Sequence, residues 1–174
     1  MNDYGTIIEA GAIRFERLLP GPIERVWAYL TESDKRGQWL ASGAVEPRVG
    51  GRVELQFRHA DLSPHREPVP EKYRKYENGA GFTAEVTRCE PPRLLSHTWP
   101  DGSEVTFELT AQGEQVLLVL THRRLTPTET LSVAGGWHTH LGILVDRLND
   151  RVPQPFWSTY GRLEAEYERR IAAA

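Results

Sequence analysis

Residues Thr126 to Leu148 constrain the chain more than any other stretch, because start, period and stop all agree on one long helix. Thr126 suits the N-cap, Pro127 the first helical position where no N–H is needed, and Glu129 completes a Thr-x-x-Glu capping box. Ala134, Trp137, His138, Leu141, Leu144, Val145 and Leu148 then recur at three- and four-residue intervals, which places them on one face. Gly135, Gly136 and Gly142 each cost about 1 kcal/mol relative to Ala inside a helix. Their presence predicts that another backbone or a ligand approaches this helix closely, or that the helix kinks.

The chain has 174 residues, 39% of them apolar, a size and composition that predict a single globular domain over residues 1–174. With 21 basic and 24 acidic residues the net charge is −3, and no block of one sign stands out, which argues against nucleic acid and anionic membranes as partners. Cys89 is alone, so neither an internal disulfide nor a cysteine-built zinc site is available, and a reducing compartment suits the chain. The longest aliphatic run, Val116 to Leu120, is far below the roughly 20 residues of a membrane span. The opening Met-Asn-Asp-Tyr-Gly does not read as a signal peptide, and the cytoplasm is the expected location.

Ahead of the long helix the pattern is mostly of period two. Ile13 to Leu19 predicts a first strand, ended by Pro20-Gly21-Pro22; a helix follows with Ile23, Val26, Trp27 and Leu30 on its apolar face, then a short second helix within Thr31 to Trp39. Gly50-Gly51 separates a short strand near Ala44 to Pro47 from a better one in which Val53, Leu55 and Phe57 share a face. Strands are expected at Phe82 to Cys89, Arg93 to Trp99, Glu104 to Leu109 and Gln115 to His122, with spacers short enough for an antiparallel meander. His59 to Gly79, rich in Pro and charge, is longer than structureless loops usually run, and reads equally as a lid or as an inert surface loop. Val152-Pro153-Gln154-Pro155 stops the long helix, and Phe156, Tyr160, Leu163, Tyr167 and Ile171 predict a terminal helix, with Trp157 clamping it onto the body.

Together these elements describe an α+β fold: a curved antiparallel sheet with a long helix on its inner face and an apolar cleft between the two. Several stretches carry a family resemblance: Arg17-Leu18-Leu19-Pro20-Gly21-Pro22-Ile23-Glu24-Arg25-Val26-Trp27, Val49-Gly50-Gly51-Arg52, Pro91-Pro92-Arg93-Leu94, Thr121-His122-Arg123 and Gly135-Gly136-Trp137-His138-Thr139-His140-Leu141. In these the chain resembles the bacterial homologues of the C-terminal domain of the activator of heat-shock-protein-90 ATPase, within the START-like (SRPBCC) superfamily of polyketide cyclases and birch-pollen allergens. The resemblance runs from about Ile13 to Ile171. It implies the helix-grip fold, in which a curved antiparallel sheet wraps a long C-terminal helix, here with two short helices after the first strand and an additional terminal helix.

Chemistry is sparse. His138 and His140 are two apart on a helix and point to nearly opposite sides, so they cannot chelate one ion; His138 lies on the apolar stripe and His140 is expected to be more exposed. His122 shares a strand face with Leu118 and Leu120, which turns it towards the cleft, and His97 alternates with Leu95 and Trp99; for either, packing or strand-end hydrogen bonding is the default reading and polarising a ligand the alternative. Glu54, Glu85 and Glu108 alternate with apolar neighbours and should face solvent. No Gly-x-Ser-x-Gly, Walker loop or Gly-x-Gly-x-x-Gly occurs, so neither catalytic residues, nor a metal, nor a cofactor is assigned. The expected ligand-binding residues are Trp39, Phe57, Phe82, Trp99, Phe107, His122, Trp137, His138 and Leu141, against the simpler reading that such aromatics only fill the core.

Three functions follow. The first is a module that binds a small hydrophobic molecule or lipid, with no nucleic acid and no membrane insertion. The second, implied by the superfamily, is a cyclase-like enzyme acting on a polyketide-type or lipid substrate, with His122, His138 or Arg88 polarising it. The third is a chaperone-associated stress-response protein; the activator also uses a separate N-terminal domain, for which the chain is expected to have no room. A homodimer or a chaperone contact stays open.

Overall fold

The computed structural model describes residues 2–172, so of the N-terminal run only Met1 lies outside them. Seven strands form one curved antiparallel sheet in the order β1-β2-β7-β6-β5-β4-β3. They are β1 (Thr6–Glu9), β2 (Ala12–Pro20), β3 (Arg52–Phe57), β4 (Ala80–Glu90), β5 (Leu94–Thr98), β6 (Glu104–Gln112) and β7 (Gln115–Arg123). The helices are α1 (Ile23–Thr31), α2 (Ser33–Arg36), α3 (Pro127–Leu148) and α4 (Phe156–Ala172). Strands β4 to β7 form the expected meander, while α1 and α2 carry the chain from β2 to β3 at the far edge. This is the helix-grip architecture.

Period-two alternation turns one row of each strand towards α3. Ile13, Phe15 and Leu19 of β2, Val116, Leu118 and Leu120 of β7, Val105, Phe107 and Leu109 of β6 and Val53 and Leu55 of β3 are all buried. The register pairs Phe15 and Phe107 with Leu120 from either side, so the inner row is continuous across the sheet centre. Against it lie Ala134, Trp137, Leu141, Leu144 and Leu148 of α3. The capping box forms: Thr126 Oγ1 accepts from the Glu129 N–H (3.2 Å) and Glu129 Oε2 accepts from the Thr126 N–H (2.9 Å). At the other end of α3, the Arg25 guanidinium donates to the free carbonyl of Leu148 (3.1 Å).

Two expectations about elements are corrected. No strand forms at Ala44 to Pro47; only the isolated bridges Ser42↔Gln56 and Val45↔Val53 occur. Gly43 lies at φ +120°, where a Cβ would fall on the Glu54 carbonyl, and buried Arg36 donates to the carbonyls of Ala41 (2.7 Å), Gly43 (3.0 Å) and Glu54, which holds the segment in an irregular course. Conversely, β1 was not expected: all four of its residues are exposed at a sheet edge, so it has no buried face to impose an alternating pattern.

The glycines of α3 have separate causes. A Cβ on Gly135 would stand 3.2 Å from Tyr160 Cε1 and 3.4 Å from the Glu164 nitrogen, because α4 crosses there. Gly136 and Gly142 have nothing within 4 Å of such a Cβ; each faces an open space. No helix among the described residues is long and apolar enough to cross a membrane.

Candidate functional site

One end of the sheet does not close on α3. Between them lies a cavity of about 370 Å³, walled by Phe57, Phe82 and Trp99 from the sheet and by Val133, Gly136, Trp137 and His140 from α3. The segment His59 to Gly79 forms two 3-10 turns, His59–Leu62 and Glu71–Tyr76, and lays His59, Tyr73 and Tyr76 over this space, while Phe156, Trp157 and Tyr160 close it from α4. The walls form an aromatic cluster: Phe82 and Trp99 meet edge to face at 4.8 Å, and Tyr73 stacks on Trp157 at 4.9 Å with planes 13° apart. A larger groove of about 640 Å³ beside Asp61, Arg66 and Arg151 is polar and lies on the surface.

The segment over the cavity is strapped down. Tyr73 Oη donates to Glu164 (2.7 Å), Lys72 pairs with the same carboxylate (3.1 Å), Glu67 accepts from the Ser158 N–H (3.0 Å), and Ser63 Oγ donates to the Pro153 carbonyl (2.7 Å). Every one of these contacts is with the α3–α4 connection or with α4.

Of the expected ligand-binding residues, Phe57, Phe82, Trp99 and Trp137 line the cavity. Trp39, Phe107 and Leu141 do not; they are buried in the core, and the Trp39 indole donates to the Tyr29 carbonyl (2.7 Å). His122 sits behind Trp137, and His138 faces away, hydrogen-bonded to Tyr167 Oη (2.8 Å). The expectation that His138 faces inward and His140 outward is therefore reversed. Helix α3 is covered on two sides, by the sheet and by α4, so two stripes are apolar; Val133, Trp137, His140 and Leu144 form the one that faces the sheet.

His140 is the polar feature of the cavity that the sequence reading missed. Its Nδ1 lies 2.8 Å from the Trp39 carbonyl, which can only accept, so Nδ1 carries the proton. Burial, helped by the neighbouring His59, pushes its pKa down to about 3, so the ring is neutral and Nε2 presents a lone pair. His59 lies 6.0 Å away, ring to ring, and packs on Phe156 (4.4 Å). Its Nδ1 is buried with no partner, and burial lowers its pKa to about 4. Two neutral imidazoles thus stand in an aromatic chamber whose lining contains no carboxylate and no cation among the described residues.

Behind the wall runs a second polar chain. Trp137 Nε1–H donates to His122 Nδ1 (2.9 Å), His122 Nε2 lies 2.7 Å from Ser103 Oγ, and Ser103 Oγ donates to Asp101 Oδ1. Because Nδ1 accepts, the neutral ring carries its proton on Nε2 and donates to Ser103. Burial lowers the His122 pKa to about 4, with the Asp101 charge acting the other way. The order Asp-Ser-His is therefore not a nucleophile arrangement: the imidazole gives a proton to the serine oxygen instead of taking one. Arg88, the other residue of the catalytic reading, is exposed on β4. His97 is buried, pairs with the Thr98 carbonyl (2.9 Å) and stacks beside Trp99. Among the described residues no group of three or more His, Cys, Asp or Glu stands together as a metal-ligand set.

A profile of the family described as activator of Hsp90 ATPase homolog 1-like protein matches residues 20–149. A solution structure of the protein encoded by gene BPP1335 from Bordetella parapertussis is 47% identical, aligns over 97% of this chain and 91% of its own, and superposes with a TM-score of 0.83. The crystal structure of CalU16 from Micromonospora echinospora is 24% identical over 93% of this chain and 86% of its own, with a TM-score of 0.68. DynU16, a protein in the dynemicin biosynthetic locus, is 19% identical over 81% of this chain and 48% of its own, with a TM-score of 0.62. The last two share the fold. No curated protein matches the chain. The match over residues 20–149, together with the 47% identical relative of the same fold, shows that the chain belongs to the activator of Hsp90 ATPase homolog 1-like family.

Proposed function

We propose that this chain is a binding module for one small, largely apolar aromatic molecule, received between the sheet and α3 in the chamber closed by His59 to Tyr76 and the start of α4. The observation that carries this reading is the lining itself: aromatic rings on every side, no charge, and a helix glycine, Gly136, whose missing side chain leaves the space open. A cavity of about 370 Å³ lies at the small end of the roughly 300–1,000 Å³ of ligand pockets. The lone pair on His140 Nε2 favours a ligand with one hydroxyl or N–H donor, since a buried acceptor left unmatched costs about 1–3 kcal/mol.

The residues proposed for catalysis lie outside the chamber, which supports binding over turnover. The lone Cys89 supports the cytoplasm as the compartment, and the single sheet with one core supports one domain. Calorimetric titration with 2-naphthol and with 2-methoxynaphthalene tests the proposal. Saturable one-to-one binding, tighter for the naphthol, is expected. Failure of both to bind would overturn it.

A further inference from the structure

Helix α3 has a second opening on its other side, independent of the aromatic chamber. Strand β1 pairs β2 only as far as Arg14, so residues 15–20 of β2 have no partner on that edge. Beside this bare edge a space of about 460 Å³ lies between β2, α3 and α4, bordered by Arg17, Leu18, His138, Gly142, Ile143 and Arg162.

Arg17 is the unusual residue. Period-two alternation puts it in the same inward row as Phe15 and Leu19, and it is only 5% exposed. A buried guanidinium is costly unless paired, yet Arg17 makes no ion pair with any carboxylate of the described residues; its one protein hydrogen bond there is from Nη1 to the Glu16 carbonyl (2.8 Å). Burial pushes its pKa below the ordinary arginine value, with Asp3 and Tyr167 acting the other way. The carboxylates nearby do not satisfy it: Asp146 pairs with Arg151 (3.1 Å), and Asp3 borders the space without pairing.

Two guanidinium groups, Arg17 and Arg162, and two carboxylates, Asp3 and Asp146, border the space. His138 is held down to about 4 by burial first and then by Arg17, with Asp3 acting the other way and Arg162 and Arg170 adding to the effect. Tyr167 Oη accepts from the Gly5 N–H (2.7 Å) and lies 2.8 Å from His138 Nδ1, so His138 is held at this opening by Tyr167. Leu18, Ile143, Val145 and Leu163 supply an apolar stretch of wall beside the polar Thr139, Gln154 and Thr159, and Gly142 leaves room between them.

We infer that this opening is a binding site for a small organic carboxylate with an apolar tail, its carboxylate held by the Arg17 guanidinium with Arg162 at the rim and its tail against Ile143 and Leu163. The planar guanidinium fork matches a carboxylate bidentately, which the unpaired Arg17 is free to do. The tail separates this ligand from inorganic anions.

Titration of the 15N-labelled protein with hexanoate, followed by NMR of the Arg17 side-chain N–H and the Gly142 amide, tests the inference. Hexanoate should shift both signals saturably, and inorganic phosphate should do so at least several-fold more weakly. Arg162→Gln, at an exposed position, should weaken hexanoate binding several-fold with the spectrum otherwise intact. Arg17→Met, which keeps the apolar stem, should abolish binding without lowering the melting temperature, whereas a purely structural arginine would lower it on removal. The inference is overturned if hexanoate shifts neither signal, if phosphate binds as tightly, or if Arg162→Gln leaves the affinity unchanged. Shifts confined to the indole signals of Trp99 and Trp137 would overturn it equally, by placing hexanoate in the aromatic chamber.

Discussion

The indole N–H of Trp137 points through the wall of the aromatic chamber to Nδ1 of His122, 2.9 Å away. One bond thus joins the chamber-facing ring of α3 to the chain of His122 on β7 with Ser103 and Asp101 of the β5–β6 turn, and it fixes both the rotamer of the indole and the tautomer of the histidine. Trp137→Phe keeps most of the packing and leaves His122 Nδ1 without a donor, which should cost about 1–3 kcal/mol. Trp137→Ala should cost about 3–5 kcal/mol, the range for truncating a buried large aromatic. Chemical denaturation measures both, and equal losses for the two variants would mean that the hydrogen bond contributes nothing.

Stability should fall as the solution is acidified from neutrality. His59, His97, His122 and His138 are lowered to about 4 and His140 to about 3, in each case by burial first. Between those values and the ordinary 6.5 the unfolded chain binds protons that the folded chain refuses, so stability is complete above about pH 6.5 and declines below it. Each such histidine contributes up to about 1.4 kcal/mol per pH unit in that window. Urea midpoints from pH 7.5 to pH 5 should drop steadily, and a flat profile would mean that these rings are hydrated in the folded protein.

The two adjacent glycines of α3 should respond oppositely to alanine. At Gly136 nothing obstructs a Cβ, so Gly136→Ala should stabilise by about 0.5–1 kcal/mol through helix propensity alone. At Gly135 the methyl would press on Tyr160 and the backbone of Glu164, and the net effect should be a loss. Thermal melts of both variants decide this, and a stabilised Gly135→Ala would show that α4 yields at the crossing.

Much of the fold could be read in advance because it rests on local signals. The capping box at Thr126 and Glu129, the alternation of Val53, Leu55 and Phe57, and the stop at Pro153 and Pro155 each act within a few residues. The site was legible only in part. Phe57, Phe82, Trp99 and Trp137 lie on regular elements whose inner face alternation reveals. His59, Tyr73, Tyr76 and Phe156 reach the chamber through the 3-10 turns and the packing of α4, which no periodicity encodes. His138 and His140 were exchanged because a helix buried on two sides carries two apolar stripes, and a one-sided amphipathic pattern cannot rank them.

The strap over the chamber should open when its polar contact is cut. Tyr73→Phe retains the stack on Trp157 and loses the hydrogen bond to Glu164. Amide exchange in Glu71–Tyr76 should then quicken while that of α3 is unchanged. Unaltered exchange in these turns would assign the closure to stacking alone.

The account rests on an open aromatic chamber beside Gly136, and filling that chamber from the helix tests it most directly. Calorimetric titration of 2-naphthol should be compared across the wild-type chain, Gly136→Phe, which projects a ring into the space, and Glu108→Gln, a change at an exposed position of β6. The account predicts one saturable site in the wild type and in Glu108→Gln, and at least tenfold weaker binding in a folded Gly136→Phe. Undiminished binding by Gly136→Phe would contradict it and place the ligand outside the chamber.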